Sequence, residues 1–266
     1  MTTLDLTGVR GGEAGFMRDL WAIAGRALRQ TPREPASVIP AVFVPAFFYV
    51  VNLGALENLA QHAGGFDYKA FLIPMAIAFA VTGMSRAPTL VTDIQGGYFD
   101  RLCMTPVRRS ALLLGLMVAD VIVLVALCVP VLVMGFIVGV RFKTGVPGLA
   151  LFVILCALWG LVFTGFPYAV ALKTGSPAAV NACFIVFFPL FFLTDAVVPM
   201  GALTGWFSNI ATYNPVTYLL AALRSLITTG WETTALWQGL AAVAGIGLLS
   251  MSLALFALRG RVRQGH

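Results

Sequence analysis

The sequence predicts an all-α membrane protein with six transmembrane helices. An N-terminal amphipathic interfacial helix precedes them, a short polar segment separates the second and third, and a broken apolar hairpin separates the fifth and sixth. Three observations lead there. Hydrophobic residues make up 59% of the 266 and charged residues 11%, at a mean hydropathy of +0.92. A water-facing globular chain carries about a quarter charged residues, so most of this surface meets lipid. Apolar runs recur near the ~20-residue length that crosses a ~30 Å hydrocarbon core. Positive charge is spread unevenly between the loops. No long polar linker divides the chain, so residues 1–266 read as one membrane domain.

Composition also excludes function classes. The net charge of +6 and the pI of about 9.5 come from cations beside hydrophobic segments, where they act as topology signals and headgroup contacts. No basic patch carries interleaved aromatics on a polar surface, so no nucleic-acid partner is expected. Cys128, Cys156 and Cys183 lie in apolar runs and Cys103 lies in the polar segment, so no disulfide framework is expected. His62 and His266 have no partner at ligand spacing, which leaves no metal site. The first 35 residues lack the basic start, apolar core and cleavage site of a signal peptide.

Taken in order, residues 1–14 are polar and Gly-rich. Residues 15–30 show helical periodicity, with Phe16, Leu20, Ile23, Ala24 and Ala27 on one face and Arg18, Arg26 and Arg29 on the other. Such a helix suits the headgroup plane, because a soluble helix would find little core to pack on here. Pro32 and Pro35 end it. The spans follow at 37–54, 71–91, 111–140, 148–172, 178–193 and 235–258, with a polar loop over 55–69. The fifth is short, ~24 Å by helix rise.

The positive-inside rule orients them. With the N-terminus inside, only Lys69, Arg141, Lys143 and Arg224 of the 17 Lys and Arg fall outside. An even number of spans then places both termini in the cytoplasm. Cysteine accessibility is expected to place residue 60 outside; labelling it from the cytoplasm overturns this topology.

The stretch 194–234 is too apolar for an exposed loop and is broken by Pro199, Gly201, Gly205 and Pro215. Irregular backbone at membrane depth persists only where protein or water satisfies it. The short fifth span followed by this stretch points to a re-entrant element over 194–214, dipping back from the outer surface. The alternative is an amphipathic cap with Trp206, Tyr213, Tyr218 and Trp231 as interfacial aromatics.

No catalytic constellation is present. The G-x-x-x-x-G-K-[ST] phosphate loop, H-E-x-x-H and G-x-S-x-G are all missing. Asp120 lies ~15 Å into the third span if that helix begins near Ser110. It is a lining or gating group, or the structural partner of a cation such as Arg86. Asp195 ends the fifth span, either as a simple stop or as a substrate contact. Pro199, Asn214 and Pro215 complete the translocation-path or gate candidates. Phe184, Phe187, Phe188, Phe191 and Phe192 either line a path for a flat apolar substrate or serve packing and lipid contact.

The polar segment 93–109 reads DIQGGYFDRLCMTPVRR. The chain turns at Gly96-Gly97, and Thr105-Pro106 is a natural helix start, with Thr as cap and Pro in the first turn. Between them Phe99, Leu102 and Cys103 are available to insert into a groove. The alternative is a solvated loop that only holds topology.

Two stretches then carry a family resemblance. GGYFDRLCMTPVRRSALLLG is similar to the Gly–x–x–acidic–x–Leu–x–x–(Ser/Thr)–Pro–Val–x–Arg pattern of the ABC-2 type permeases, the membrane subunits of ABC exporters such as daunorubicin-resistance, antibiotic or lipid exporters. Gly97, Asp100, Leu102, Thr105, Pro106, Val107 and Arg109 occupy that pattern, with Asp100 where Glu is commoner. FFPLFFLTDAVVPMGALTGWFSNIATYNPVTYLLAALRSL resembles the family's later region through Pro189, Pro199, Trp206, Asn214, Pro215, Thr217 and Arg224. Asp195 departs from it, standing where Gly or Asn is commoner.

The resemblance implies a bacterial cytoplasmic-membrane permease that moves a hydrophobic or amphipathic drug, natural product or lipid outward. It implies two such chains, identical or different, over two ATP-binding cassette subunits that carry the ATP and Mg. This chain would bind no cofactor of its own. Gly97, Phe99, Asp100, Arg101, Thr105 and Pro106 would form a cytoplasmic coupling helix between spans two and three, and the hairpin would close the path outside. A polysaccharide or lipid-linked glycan permease of the same fold is the alternative within the family. An ion-driven secondary transporter calls for several intramembrane ionisable groups and an inverted repeat, and Asp120 is the one firm candidate. A membrane scaffold is a third class.

Overall fold

The computed structural model describes residues 16–30, 35–64, 67–97 and 109–264. The described residues form ten α-helices and one short 3-10 turn, and no strand occurs among them. We label the helices α1 (Phe16–Gln30), α2 (Pro35–Gly64), α3 (Tyr68–Thr82), α4 (Ala87–Gln95), α5 (Arg109–Ile137), α6 (Gly145–Thr174), α7 (Pro177–Phe192), α8 (Gly205–Tyr213), α9 (Pro215–Thr228) and α10 (Thr233–Gln264). Among the described residues, five stretches are long and apolar enough to cross a bilayer: Ile39–Asn58, Tyr68–Gln95, Leu114–Ile137, Gly145–Thr174 and Thr233–Arg261. The fifth predicted span is α7, which at 16 residues falls short of that length.

Three expectations are corrected. Residues 55–69 were expected to be a polar loop, but α2 runs on to Gly64. Ala55, Leu56, Glu57, Leu59 and Gln61 are good helix formers, and polarity alone does not stop a helix. Asp67 then caps α3 by accepting from the amides of Lys69 (3.1 Å) and Ala70 (3.2 Å), and Glu57 pairs with Lys69 across the turn at 3.3 Å. Second, the span at 71–91 is two helices, broken at 83–86. Gly83 ends α3, Pro88 opens α4 without an N–H to give, and the Ser85 hydroxyl accepts from the Ala87 amide (3.1 Å). Third, α1 does find a core: Ala24 and Ala27 are buried with Leu90, Leu116 and Tyr168 as α1 lies along α5. Trp21 and Met17 remain exposed, and Arg26 Nη2 reaches Asp93 Oδ2 of α4 at 2.7 Å.

Hydrogen bonds between elements define two levels of the bundle. At one, Gln95 Nε2 donates to the Gly175 carbonyl (3.0 Å) and Arg261 Nη1 to that of Leu172 (3.3 Å), gathering the ends of α4, α6 and α10. At the other, the Tyr68 hydroxyl donates to the Val197 carbonyl (3.0 Å). The chain from Gly175 to Val197 therefore travels between the same two levels as Tyr68–Gln95. The irregular turn after α7, with Thr194, Asp195 and Ala196 buried, covers the last part of that distance.

The segment between α7 and α10 is mostly helical. α8 leads to Asn214-Pro215, and α9 returns along α10 and α3 with Leu219, Leu220 and Leu223 fully buried. The far end of α9 meets the α5–α6 turn, where the Lys143 amide donates to the Ile227 carbonyl (3.0 Å) and the Thr144 hydroxyl to that of Leu226 (2.6 Å). Helices α6 and α10 pack closely because glycines face the contact. A Cβ on Gly165 would meet Ser250 at 2.8 Å, and one on Gly247 would meet Val162 at 2.8 Å. Small residues of this kind let apolar helices approach where lipid gives no hydrophobic drive to associate.

Candidate functional site

An apolar cavity of about 430 Å³ opens between α6, α7, α10 and the α8–α9 hairpin. Helix α6 contributes Trp159, Phe163 and Phe166; α7 contributes Phe187, Leu190 and Phe191; and Ile246 of α10 closes one side. Thr82, the last residue of α3, and the hairpin residues Asn214, Pro215 and Val216 complete the depth, with Asn209, Ile210 and Tyr213 of α8 at the mouth. The hairpin tip thus shares its walls with the central turns of α6. The rings interlock: Phe163 and Phe187 centroids lie 4.5 Å apart at 74°, and Phe166 and Phe187 lie 4.9 Å apart at 40°. Edge-to-face and tilted pairs of this kind are the favoured aromatic geometries.

Asn214 holds the tip in place. Its Nδ2 donates to the carbonyls of Leu190 (2.6 Å) and Leu193 (3.0 Å), and its Oδ1 accepts from the Val216 amide (3.0 Å) as the cap of α9. Pro215 follows in the first turn, where its missing N–H costs nothing. The Thr217 hydroxyl donates to the Ala211 carbonyl (2.7 Å). One side chain thereby satisfies two carbonyls at the end of α7 and one amide at the start of α9.

Among the described residues, two buried charge pairs stand outside the cavity lining. On the Tyr68 side, Arg224 of α9 reaches Asp195 Oδ2 at 2.5 Å. Its other nitrogens donate to the carbonyls of Asp195 (2.8 Å), Ala196 (3.2 Å) and Phe71 (3.2 Å), and its guanidinium lies 3.6 Å over the Phe71 ring. One side chain thus fastens the turn after α7, the start of α3 and α9. On the Gln95 side, the Tyr168 hydroxyl donates to Asp120 Oδ2 at 2.7 Å, and Arg86 Nε stands 3.9 Å from Asp120 Oδ1. Arg86 and Asp120 are each 2% exposed, and the Arg86 guanidinium has no hydrogen-bonding partner among the described residues. Arg86 sits at the α3–α4 break, in the N-cap position of α4, without a side-chain capping bond.

The predicted site residues separate accordingly. Asn214 and Pro215 line the cavity. Asp120 and Asp195 do not; each sits in a charge pair, Asp120 with the Arg86 named from the sequence. Pro199 precedes the 3-10 turn Met200–Ala202 away from the cavity wall. Gly97 lies in the turn after α4 with φ +67°, a left-handed conformation that suits glycine. Phe99, Asp100, Arg101, Thr105 and Pro106 lie outside the described residues. Of the phenylalanine stripe, Phe187 and Phe191 face the cavity, Phe188 and Phe192 lie tilted against each other at 4.7 Å, and Phe188, Phe191 and Phe192 all meet Phe79. Sequence reasoning missed Trp159, Phe163, Tyr168 and the Asp195–Arg224 pairing. A lone Arg in the apolar run 216–229 was the available signal, since such a charge needs a partner.

The ABC-2 type transporter family profile matches residues 18–228. A doxorubicin resistance ABC transporter permease protein, DrrC, of Mycobacterium tuberculosis is 26% identical over 227 residues, covering 85% of this chain and 82% of its own. A daunorubicin resistance ABC transporter permease protein, DrrB1, of Streptomyces coeruleorubidus is 25% identical over 253 residues, covering 93% and 86%. A transport permease of Cyanophora paradoxa is 24% identical over 224 residues, covering 79% and 74%.

Proposed function

This chain belongs to the ABC-2 type transporter family, and on that premise we propose that it is the permease subunit of an ATP-driven exporter. Its cargo is a hydrophobic or amphipathic drug, natural product or lipid, moved outward across the cytoplasmic membrane of a bacterium. The observation that carries this reading is the family match over residues 18–228, which contains both motif stretches in order. The names of the relatives, which speak of doxorubicin and daunorubicin resistance, favour a drug-like cargo. An aromatic cavity suits such a molecule better than it suits a hydroxyl-rich glycan, which would want many hydrogen-bonding groups.

Two such chains, identical or different, form the pathway above two ATP-binding subunits, which carry the nucleotide and magnesium. The contacts of Gly175–Val197 at both levels of the bundle support counting α7 as a sixth crossing, with both termini inside. The hairpin of α8 and α9 is then re-entrant, its tip at the cavity. The segment from Gly97 to Pro106 docks into the ATP-binding subunit. Force applied there passes first to α4, which Arg26–Asp93 ties to α1 and Gln95–Gly175 ties to the end of α6.

Co-purification with the ATP-binding subunit tests this reading, with ATP hydrolysis and efflux read in the same vesicles. Exchanging the charges, Asp100→Lys with Arg101→Glu, is expected to abolish docking and ATP-dependent efflux while the chain still assembles. Unchanged docking and efflux in that variant sink the proposed contact.

A further inference from the structure

We propose that the cavity binds a flat, ring-bearing amphipathic molecule. Its ring system lies among Trp159, Phe163, Phe166 and Phe187, and its polar groups lie at the mouth beside Asn209 and Tyr213. This deepens the exporter reading and rests on it, because it names the class of cargo that the permease would accept and where one chain would hold it.

Shape is the first argument. The volume of about 430 Å³ lies within the ~300–1,000 Å³ of small-molecule sites. Six helices supply the walls: α3, α6, α7, α8, α9 and α10. The space is therefore closed in on several sides rather than drawn out along one helix pair, as an extended acyl chain would require. The rings around it are rigid and set at steep angles to one another, 74° for Phe163 and Phe187 and 40° for Phe166 and Phe187. An inserted planar ring can meet one neighbour by its face and another by its edge, contacts that a saturated chain cannot make.

Polarity is the second argument, and it sets the orientation. In the depth of the cavity the hydrogen-bonding side chains are already engaged. The Trp159 Nε1 donates to the Thr82 hydroxyl (2.9 Å), which itself donates to the Ala78 carbonyl (2.7 Å). Asn214 engages both its amide nitrogen and its amide oxygen with backbone. A polar substituent pushed into this depth would lose water and gain no partner, which is costly. The mouth differs: Asn209 is exposed and Tyr213 is 86% exposed. Ring inward and polar end outward is the arrangement that leaves no group unsatisfied.

The test uses the full chain alone in lipid nanodiscs, without ATP-binding subunits. Trp21, Trp206, Trp231 and Trp237 are replaced by Phe so that Trp159 is the single donor, and energy transfer to 1-pyrenemethanol is titrated. Saturable transfer is expected. Phe163→Leu with Phe187→Leu removes two rings at little cost in volume and is expected to weaken binding about tenfold. Val216→Phe, which fills the cavity, is expected to weaken it as well, and Ile137→Leu on the exposed face of α5 is not. Transfer that rises without saturation, equal affinity in the ring-removed and filled variants, or equal displacement by dodecanol overturns the site; the last outcome assigns the cavity to an alkyl chain. Saturable binding without ATP-dependent efflux in the presence of the partner subunits sinks the exporter reading and leaves the site standing. Efflux without saturable binding does the reverse.

Discussion

Arg224→Leu is expected to destabilise the protein by about 3–5 kcal/mol, the usual cost of orphaning one member of a buried ion pair. Asp195 would be left without its cation in a site where its side chain is 8% exposed. The carbonyls of Phe71, Asp195 and Ala196 would lose their donors too. The readout is the unfolding midpoint of the purified permease in detergent or nanodiscs. Arg224→Lys is expected to recover little, because an ammonium cannot reproduce a planar fork that bonds in several directions and stacks on Phe71. Arg224→Leu with Asp195→Leu is expected to recover much of the loss, since no uncompensated charge is left. A double variant as unstable as Arg224→Leu alone would place the cost in the lost backbone bonds instead.

Asp120→Leu carries the second large effect, again about 3–5 kcal/mol, because it strands Arg86 in an apolar setting and leaves the Tyr168 hydroxyl without its acceptor. Asp120→Asn separates structure from transport. The amide oxygen still accepts from Tyr168, so the hydrogen bond survives and only the charge is lost. A lowered midpoint with proportionate loss of efflux is the expected result for a structural partner of Arg86. A normal midpoint with efflux abolished would instead make the carboxylate a lining or gating group. Arg86→Met with Asp120→Leu is expected to refold the α3–α4 break as an apolar contact and restore most of the midpoint.

Much of the fold was legible from residue order. Five of the six predicted spans fall on stretches long and apolar enough to cross a bilayer, the one at 178–193 falls on the shorter α7, and the run after Asn214-Pro215 is α9. These are local matters: hydropathy over a turn or two, a cap residue, a proline at the right place. The misses share a cause. The extension of α2 to Gly64 was hidden because polarity was taken for a loop, although helix formers continue through it. The break at 83–86 was hidden because an apolar run looks the same whether or not it bends.

The site was legible only in its pieces. Asn214, Pro215, Asp120 and Asp195 stand out in the sequence as polar or helix-breaking residues in apolar surroundings, and the phenylalanines of α7 as a dense run of rings. By itself the sequence determined that the chain is apolar enough to live in lipid, roughly where most of its long helices lie, and which family patterns it carries, because each depends on neighbours a few residues apart. Only the tertiary structure decided that Asp195 belongs to Arg224 and that Tyr168 belongs to Asp120. It alone joined the rings of α6, about two dozen residues upstream of those of α7, into one cavity wall. Hydropathy records how much a residue avoids water, and the partner that makes a buried charge or ring tolerable is chosen by packing between segments far apart in the chain.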